Sequence, residues 1–209
     1  MSTQPGLRER KRAATSRAIQ LAALELVAER GLDRVTVEDI ARRADVSPRT
    51  LFNYFSSKEE AFTGSSPELT ESEATERFVA GRGPILDDLA ELVLSSVVAG
   101  LDDLDILQLR RRLMKQYPDM AARRAASFRT FEDQLAALIE QRLRRAEPEP
   151  AVDPAQLAER ARLLALVAIA AMRHAWSLWA DGDQRVSLPS RLRSSFRQLE
   201  SVLRPERVR

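Results

Sequence analysis

The stretch TVEDIARRADVSPRTLFNYFSSKE, residues 36–59, decides the fold. Thr36 followed by Asp39 has the pattern of a capping box, in which a hydroxyl and a carboxyl each take one of the backbone N–H groups a helix start leaves unpaired. It opens a short helix over residues 37–44. Ser47 caps a second helix, with Pro48 at the first helical position, where its missing N–H costs nothing. Ser57 with Glu60 repeats the capping pattern for a further helix. Three starts within 22 residues mean short helices joined by tight turns. Ala41 is small where two helices would cross, and Ile40, Ala44, Val46 and Leu51 can anchor both from below. The turn Asp45-Val46-Ser47 has the right length for a helix-turn-helix over residues 37–54. Its first position often holds glycine, and aspartate is among the few residues that accept the left-handed conformation there. A plain helical hairpin is the competing reading.

Working outward, helix signals dominate and strand signals are nearly absent: alanine, leucine, arginine and glutamate fill the chain and glycine is rare. Upstream, Ile19, Ala22, Ala23, Leu26 and Val27 share one helical face, with Gly31 just past its end. Downstream, residues 64–67 break the chain, and residues 65–83 read as a polar, acidic linker with a short helix near 71–79. Longer helices are expected over 84–101, 104–117, 118–145, 153–180 and 188–203. The fourth opens with Asp153, Pro154 and Gln156 as cap, first-turn proline and third-position acceptor. The last carries Leu192, Phe196, Leu199 and Leu203 on one face. Glu147-Pro148-Glu149-Pro150 reads as an exposed linker. The fold class is all-α: an N-terminal three-helix helix-turn-helix domain, residues 1–62, followed by a helical bundle, residues 84–209.

Composition narrows the function. With no cysteine there is no disulfide, thiolate metal site or cysteine nucleophile, which fits a reducing cytoplasm. His174 is the single histidine, so no metal cluster or catalytic triad forms around it, and no cofactor is expected. There is no glycine-rich phosphate loop either, so an enzyme is not expected. The polar start shows no signal peptide, and the longest apolar run, residues 163–172, is short for a membrane span of ~20 residues. The net charge of +2 conceals an asymmetry. Residues 1–58 carry 11 basic against 7 acidic side chains, while residues 59–105 carry 2 against 12. A basic head before an acidic segment points to a polyanion at the N-terminal end.

On a helix-turn-helix, the second helix presents Pro48, Arg49, Thr50 and Asn53 to a major groove, with Ser47 at its start. Arg49 can pair bidentately with guanine or meet a phosphate, Asn53 can pair with adenine, and Thr50 can touch a thymine methyl or a phosphate. Lys58 and Thr36, each at a helix start, suit phosphates. Tyr54 is either a core residue or a phosphate donor. Arg8, Arg10, Lys11, Arg12 and Arg17 make the first helix basic, as an arm on DNA or as a solvated face.

The run 36–41 followed by 46–59 resembles the DNA-binding domain of TetR/AcrR-type transcriptional regulators, over residues 12–62. The resemblance implies a homodimeric repressor bound to a palindromic double-stranded DNA operator, with a divergent C-terminal domain that takes a small-molecule inducer. Two departures stand out. Phe52 occupies a position where many members carry tyrosine, and residues 64–67 interrupt a helix that usually continues into the ligand domain. The C-terminal half more weakly resembles the subgroup of the mycofactocin-system regulator, which implies acyl-CoA or another lipophilic ligand.

Phe78, Leu89, Met114 and Phe128, with Phe131, Leu135, Met172 and Trp176, are candidates to line that ligand pocket, although methionines and aromatics at helical spacing also make ordinary core. Met120 belongs with them. His174 is a candidate pocket donor. Arg110-Arg111-Arg112 reads as a solvated face or a ligand-phosphate contact. Residues 163–172 are apolar on every side, so that helix needs cover all round. Ala168, Ala171 and Ala175 would admit a partner helix, and with Phe196 and Leu199 they are the expected seam of a two-fold four-helix interface.

Overall fold

A computed structural model describes residues 6–65, 67–98, 103–146, 153–181 and 186–203. The linker expected at 147–150 lies outside the described residues. Among those described the elements are helical, with no strand. The fold is all-α.

Two compact units divide the chain, and they do not follow chain order: residues 1–66 with 103–127 form the first, and 67–102 with 128–209 the second. The first holds α1 (Leu7–Arg30), a 3-10 turn (Leu32–Arg34), α2 (Val37–Arg43), α3 (Pro48–Phe52) and α4 (Lys58–Thr63). The second holds α5 (Glu73–Ala80) and α6 (Ile85–Val98). The chain then returns to the first unit for α7 (Leu104–Gln116) and α8 (Pro118–Ser127), and to the second for α9 (Arg129–Ala146), α10 (Pro154–Asp181) and α11 (Leu188–Leu203).

In the first unit the face of α1 read from sequence is the core: Ile19, Ala22, Ala23, Leu26 and Val27 are buried together with Ile40, Leu51, Phe55 and Phe62. Burial of each large aliphatic or aromatic side chain stabilises by roughly 1.5–3 kcal/mol. Ile106 and Leu113 of α7 and Met120 of α8 complete the same cluster. A single boundary in the interval 62–84 therefore does not describe this packing. The segment expected as one helix from Pro118 is two, α8 and α9, broken at Phe128. There the Ser127 hydroxyl donates to the Arg124 carbonyl (2.8 Å), competing with the helical ladder.

The Arg110 side chain, expected in a solvated run, is buried. Its Nε donates to the Phe62 carbonyl (3.0 Å) and Nη2 to Gln20 Oε1 (2.5 Å). Arg124 Nη1 donates to the carbonyls of Gly64 and Ser65, both at 2.7 Å. The two guanidiniums thus take carbonyls that the end of α4 leaves without helical partners. Burial pulls each of them down to about 10, Arg110 and Arg124 also opposing each other at Arg110. Gly64 ends α4 at φ +81°, and a Cβ there would lie 2.9 Å from Arg110 Cζ. The break expected at residues 64–67 is real and has this local cause.

In the second unit, α10 packs on α9 and α11, α11 on α6, and α5 on α6 and α9. Arg142 of α9 is buried and reaches the α5–α6 connection: Nη1 donates to the Phe78 carbonyl (2.9 Å), Nη2 to the Gly83 carbonyl (2.8 Å), and Asp88 pairs with it at 2.6 Å. By length and composition α10 passes for a membrane span over Pro154–Trp179. It packs on α9 and α11, and that span carries the exposed charged side chains Glu159, Arg162 and Arg173.

Candidate nucleic-acid interface

The local geometry of the helix-turn-helix follows its sequence closely. The Thr36 hydroxyl accepts from the Asp39 N–H (3.1 Å), and Asp39 Oδ2 accepts from the Thr36 N–H (3.3 Å) and hydroxyl (2.7 Å). That hydroxyl bond, above all, holds the Asp39 carboxyl below the usual carboxylate range, with the Thr36 N–H, Arg30 and Arg42 adding to it against partial desolvation. Ala41 is buried where α2 meets α3, and Asp45 turns the chain at φ +54°, the left-handed conformation expected of it. The Val46 N–H then donates back to the Ala41 carbonyl (2.9 Å). Ser47 Oγ accepts from the Thr50 N–H (3.0 Å) and shares a second bond with Thr50 Oγ1 (2.7 Å). Pro48 occupies the first turn as read from sequence.

Leu51, fully buried, pins α3 to the core, and the opposite face is left open. Pro48, Arg49, Phe52 and Asn53 are all exposed there, whereas Thr50 is half-buried with its hydroxyl turned to Ser47. Phe52, at 54% exposure, is a large apolar group on an otherwise polar face. Asn53 is the C-cap of α3.

Lys58 begins α4. Its Nζ donates to the Val35 carbonyl (2.9 Å), which places the ammonium beside the start of α2 and hence near Thr36. Two ammonium hydrogens remain for other acceptors. Ser57 caps α4 through the Glu60 N–H (3.1 Å), but the reciprocal half of the expected box is replaced. Glu60 Oε2 accepts from the N–H and hydroxyl of Ser56 (2.7 and 2.8 Å), and Oε1 from the Ser65 hydroxyl (2.8 Å).

The basic residues of α1 separate into two sets. Arg17 pairs with Asp103, the cap of α7. Arg8, Lys11 and Arg12 instead line a cleft together with Thr15, Thr50, Asn53 and Tyr54. Arg8, Lys11 and Arg12 were read from sequence as part of a basic face or arm, but the cleft was not; the signal was present in the spacing 8, 11, 12, 15, which is one face of a helix. Three other cations of this unit have acidic partners: Arg43 meets Glu25 (3.3 Å) and Glu29 (2.8 Å), and Arg30 and Arg42 meet Asp39.

The remaining candidates are placed as follows. Phe78, Leu89, Phe131, Leu135 and Met172 are buried in the second unit, and Phe128 is half-buried with its ring edge-on to Phe131 at 6.2 Å. Trp176 is half-buried against Trp179 (5.4 Å, edge to face). Met114 is not brought to them; it packs on the core of the first unit, as does Met120. His174 Nδ1 bonds with Ser195 Oγ (3.0 Å), joining α10 to α11. Ala168, Ala171, Ala175 and Phe196 are buried within the protomer, and Leu199 is half-buried. The apolar side chains that α10 turns outward are others: Leu163 (62% exposed), Leu166 (45%) and Leu178 (39%).

A two-helix reading unit, capped at both starts and set on a helical core, defines an all-α helix-turn-helix protein. The family model of bacterial regulatory proteins, tetR family, matches residues 19–63 of this chain. It is 33% identical over 142 residues to the HTH-type transcriptional regulator TcmR of Streptomyces glaucescens, covering 65% of this chain and 63% of that protein. The chain thus spans just under two thirds of the length of that relative. It is 28% identical over 136 residues to the putative mycofactocin biosynthesis transcriptional regulator MftR of Mycobacterium tuberculosis, 64% of this chain and 68% of the other. Among solved structures, NalD of Pseudomonas aeruginosa, the secondary repressor of the MexAB-OprM multidrug efflux pump, shares the fold with a TM-score of 0.53 at 21% identity. That match covers 91% of this chain and 96% of NalD.

Proposed function

We propose that the chain is a sequence-specific, DNA-binding transcriptional regulator of the cytoplasm: a homodimeric repressor that leaves a palindromic operator when a small lipophilic ligand binds. The observation that carries this reading is the open face of α3. Pro48, Arg49 and Asn53 stand exposed on a helix fixed by the Ser47 cap and by buried Leu51, the arrangement a major-groove reader needs. Thr36 and Lys58 take backbone contacts around it, Tyr54 adjoins the same face, and Ser47 and Thr50 set the helix start. The relatives named as transcriptional regulators support the same class.

In this reading the division of labour is residues 1–62 for DNA and residues 84–209 for ligand and dimerisation. The ligand proposal, acyl-CoA or another lipophilic compound, draws on the apolar, aromatic-rich interior around Phe78, Leu89, Phe131, Leu135 and Met172. The dimer proposal draws on α10, where Leu163, Leu166, Ala170, His174 and Leu178 recur at spacings of three and four on an exposed face. Ala168, Ala171 and Ala175 keep the adjoining side of the helix slim.

A gel-shift titration against salt tests the core of the proposal. Several phosphate contacts make log affinity fall steeply and linearly with log salt, by about 0.9 per neutralised phosphate. Steep dependence with tighter binding to one sequence supports the reading; failure to retain any duplex overturns it. A thermal-shift panel of acyl-CoAs of graded chain length tests the ligand class, since a ligand bound only by the folded chain raises the melting temperature.

A further inference from the structure

Tyr54 is half-buried, and its ring has neighbours of two kinds. It packs against the apolar core of the first unit, and the Arg12 guanidinium lies over its ring, 5.5 Å from the centroid. A guanidinium in that position is attracted by the ring's negative face and gives up freedom that a long exposed side chain otherwise keeps. Arg12 does not stand alone. Arg8, Lys11, Arg12 and Thr15 fall at i, i+3, i+4 and i+7 on α1, and all four line the cleft whose other wall is Thr50, Asn53 and Tyr54. Among the described residues no carboxylate lines it. Arg17, Arg30, Arg42 and Arg43, by contrast, all meet acidic partners.

We infer that this cleft is a second DNA-contact site, taking a backbone phosphodiester next to the bases read by α3, and that Tyr54 is its positioning residue, holding Arg12 over the cleft. The inference rests on the reading of the first unit as a DNA-binding head. The chemistry is that of a phosphodiester: a guanidinium offers paired N–H donors to two of its oxygens, an ammonium adds charge, and the Thr15 hydroxyl adds a neutral donor. Duplex DNA is the source because Asn53 and Thr50 of the reading helix form the facing wall, so a groove engaged by α3 brings its own backbone to α1. Tyr54 is then neither plain core nor a phosphate donor. It acts through Arg12.

The test uses the full-length chain and a duplex recovered by selection. Arg12→Ala and Tyr54→Leu should each lower the slope of log affinity against log salt by about one unit, and the double variant should lower it no further. Tyr54→Phe keeps the ring and should keep the slope. A Tyr54 replacement that only loosened the fold would weaken binding with the slope intact, and that result overturns the positioning role. Duplexes carrying single methylphosphonates decide the point without any Tyr54 variant. One neutral phosphate should weaken the unmutated chain several-fold and leave Arg12→Ala indifferent. Equal sensitivity of both proteins at every phosphate overturns the cleft. So does Arg12→Ala with an unchanged slope, including the case in which it loses only binding of inorganic phosphate. A chain that retains no duplex at all overturns the DNA reading of the head itself.

Discussion

Arg49 and Asn53 lie four residues apart on α3, both exposed, with Leu51 buried between them as the anchor of the helix. Their chemistry separates them from the cations around them: a fork of donors for a guanine edge and an amide for an adenine edge. Replacing either with alanine should cost about 1–3 kcal/mol on the specific site and relax one position of it. Competition binding against a panel of single-base variants reads this directly; equal weakening on specific and random DNA would make them backbone contacts. Lys58 belongs to the other class. Its ammonium holds the Val35 carbonyl, so its position is set in advance of the phosphate contact proposed for it. Lys58→Ala should weaken all duplexes alike and lower the salt slope by roughly one unit. A slope left unchanged removes Lys58 from the interface.

At the scale of the element, the caps carry the argument. Ser47→Ala leaves the Thr50 N–H without its acceptor and should destabilise the first unit by about 0.5–2 kcal/mol in denaturant titration, with DNA affinity falling as α3 frays. The Thr36–Asp39 box adds a pH signature. Because the Thr36 hydroxyl holds the Asp39 carboxyl below its ordinary value, its stabilising effect is present above that ordinary value and is lost as pH falls through the folded value. Thr36→Val should flatten the acid limb of a melting-temperature profile; a limb unchanged in slope would show that the box does not contribute.

These caps were legible because capping is local: Thr36, Ser47 and Asp153 sit within three residues of the groups they serve, as do Pro48 and Asp45. The α8–α9 break was not. Residues 121–126 are rich in alanine and arginine and favour helix, and nothing before Ser127 announces a stop. Partnership between distant elements was hidden as well. Ile106, Leu113, Met114 and Met120 show a helical period, but a period says which face is buried and not against what. Arg110 carried no sign of its destination, since its acceptor is the Phe62 carbonyl, 48 residues away. The same blindness placed the dimer seam on Ala168, Ala175 and Phe196, which the chain's own helices cover. A run apolar on every side does not say which side is left over.

For the whole molecule, one helix-turn-helix covers little DNA, so useful affinity calls for two heads on one duplex. The exposed leucines of α10 are where the proposed seam is tested. Leu166→Arg, at a side chain already 45% exposed, should leave the protomer folded and shift sedimentation from dimer to monomer at micromolar concentration. Ala171→Arg is the poorer probe, because Ala171 is buried inside the protomer and a charge there damages the fold itself. A Leu166→Arg chain that stays dimeric would move the seam elsewhere.

Selection of bound duplexes from a random pool tests the central claim most directly, because it reports sequence preference and symmetry at once. The account predicts recovery of a palindrome whose half-sites lie about one helical turn apart, roughly 34–36 Å, or a multiple of that, with degeneracy appearing at one position per half-site in Arg49→Ala. A pool that returns no enriched sequence, or an enriched one without two-fold symmetry, would contradict it.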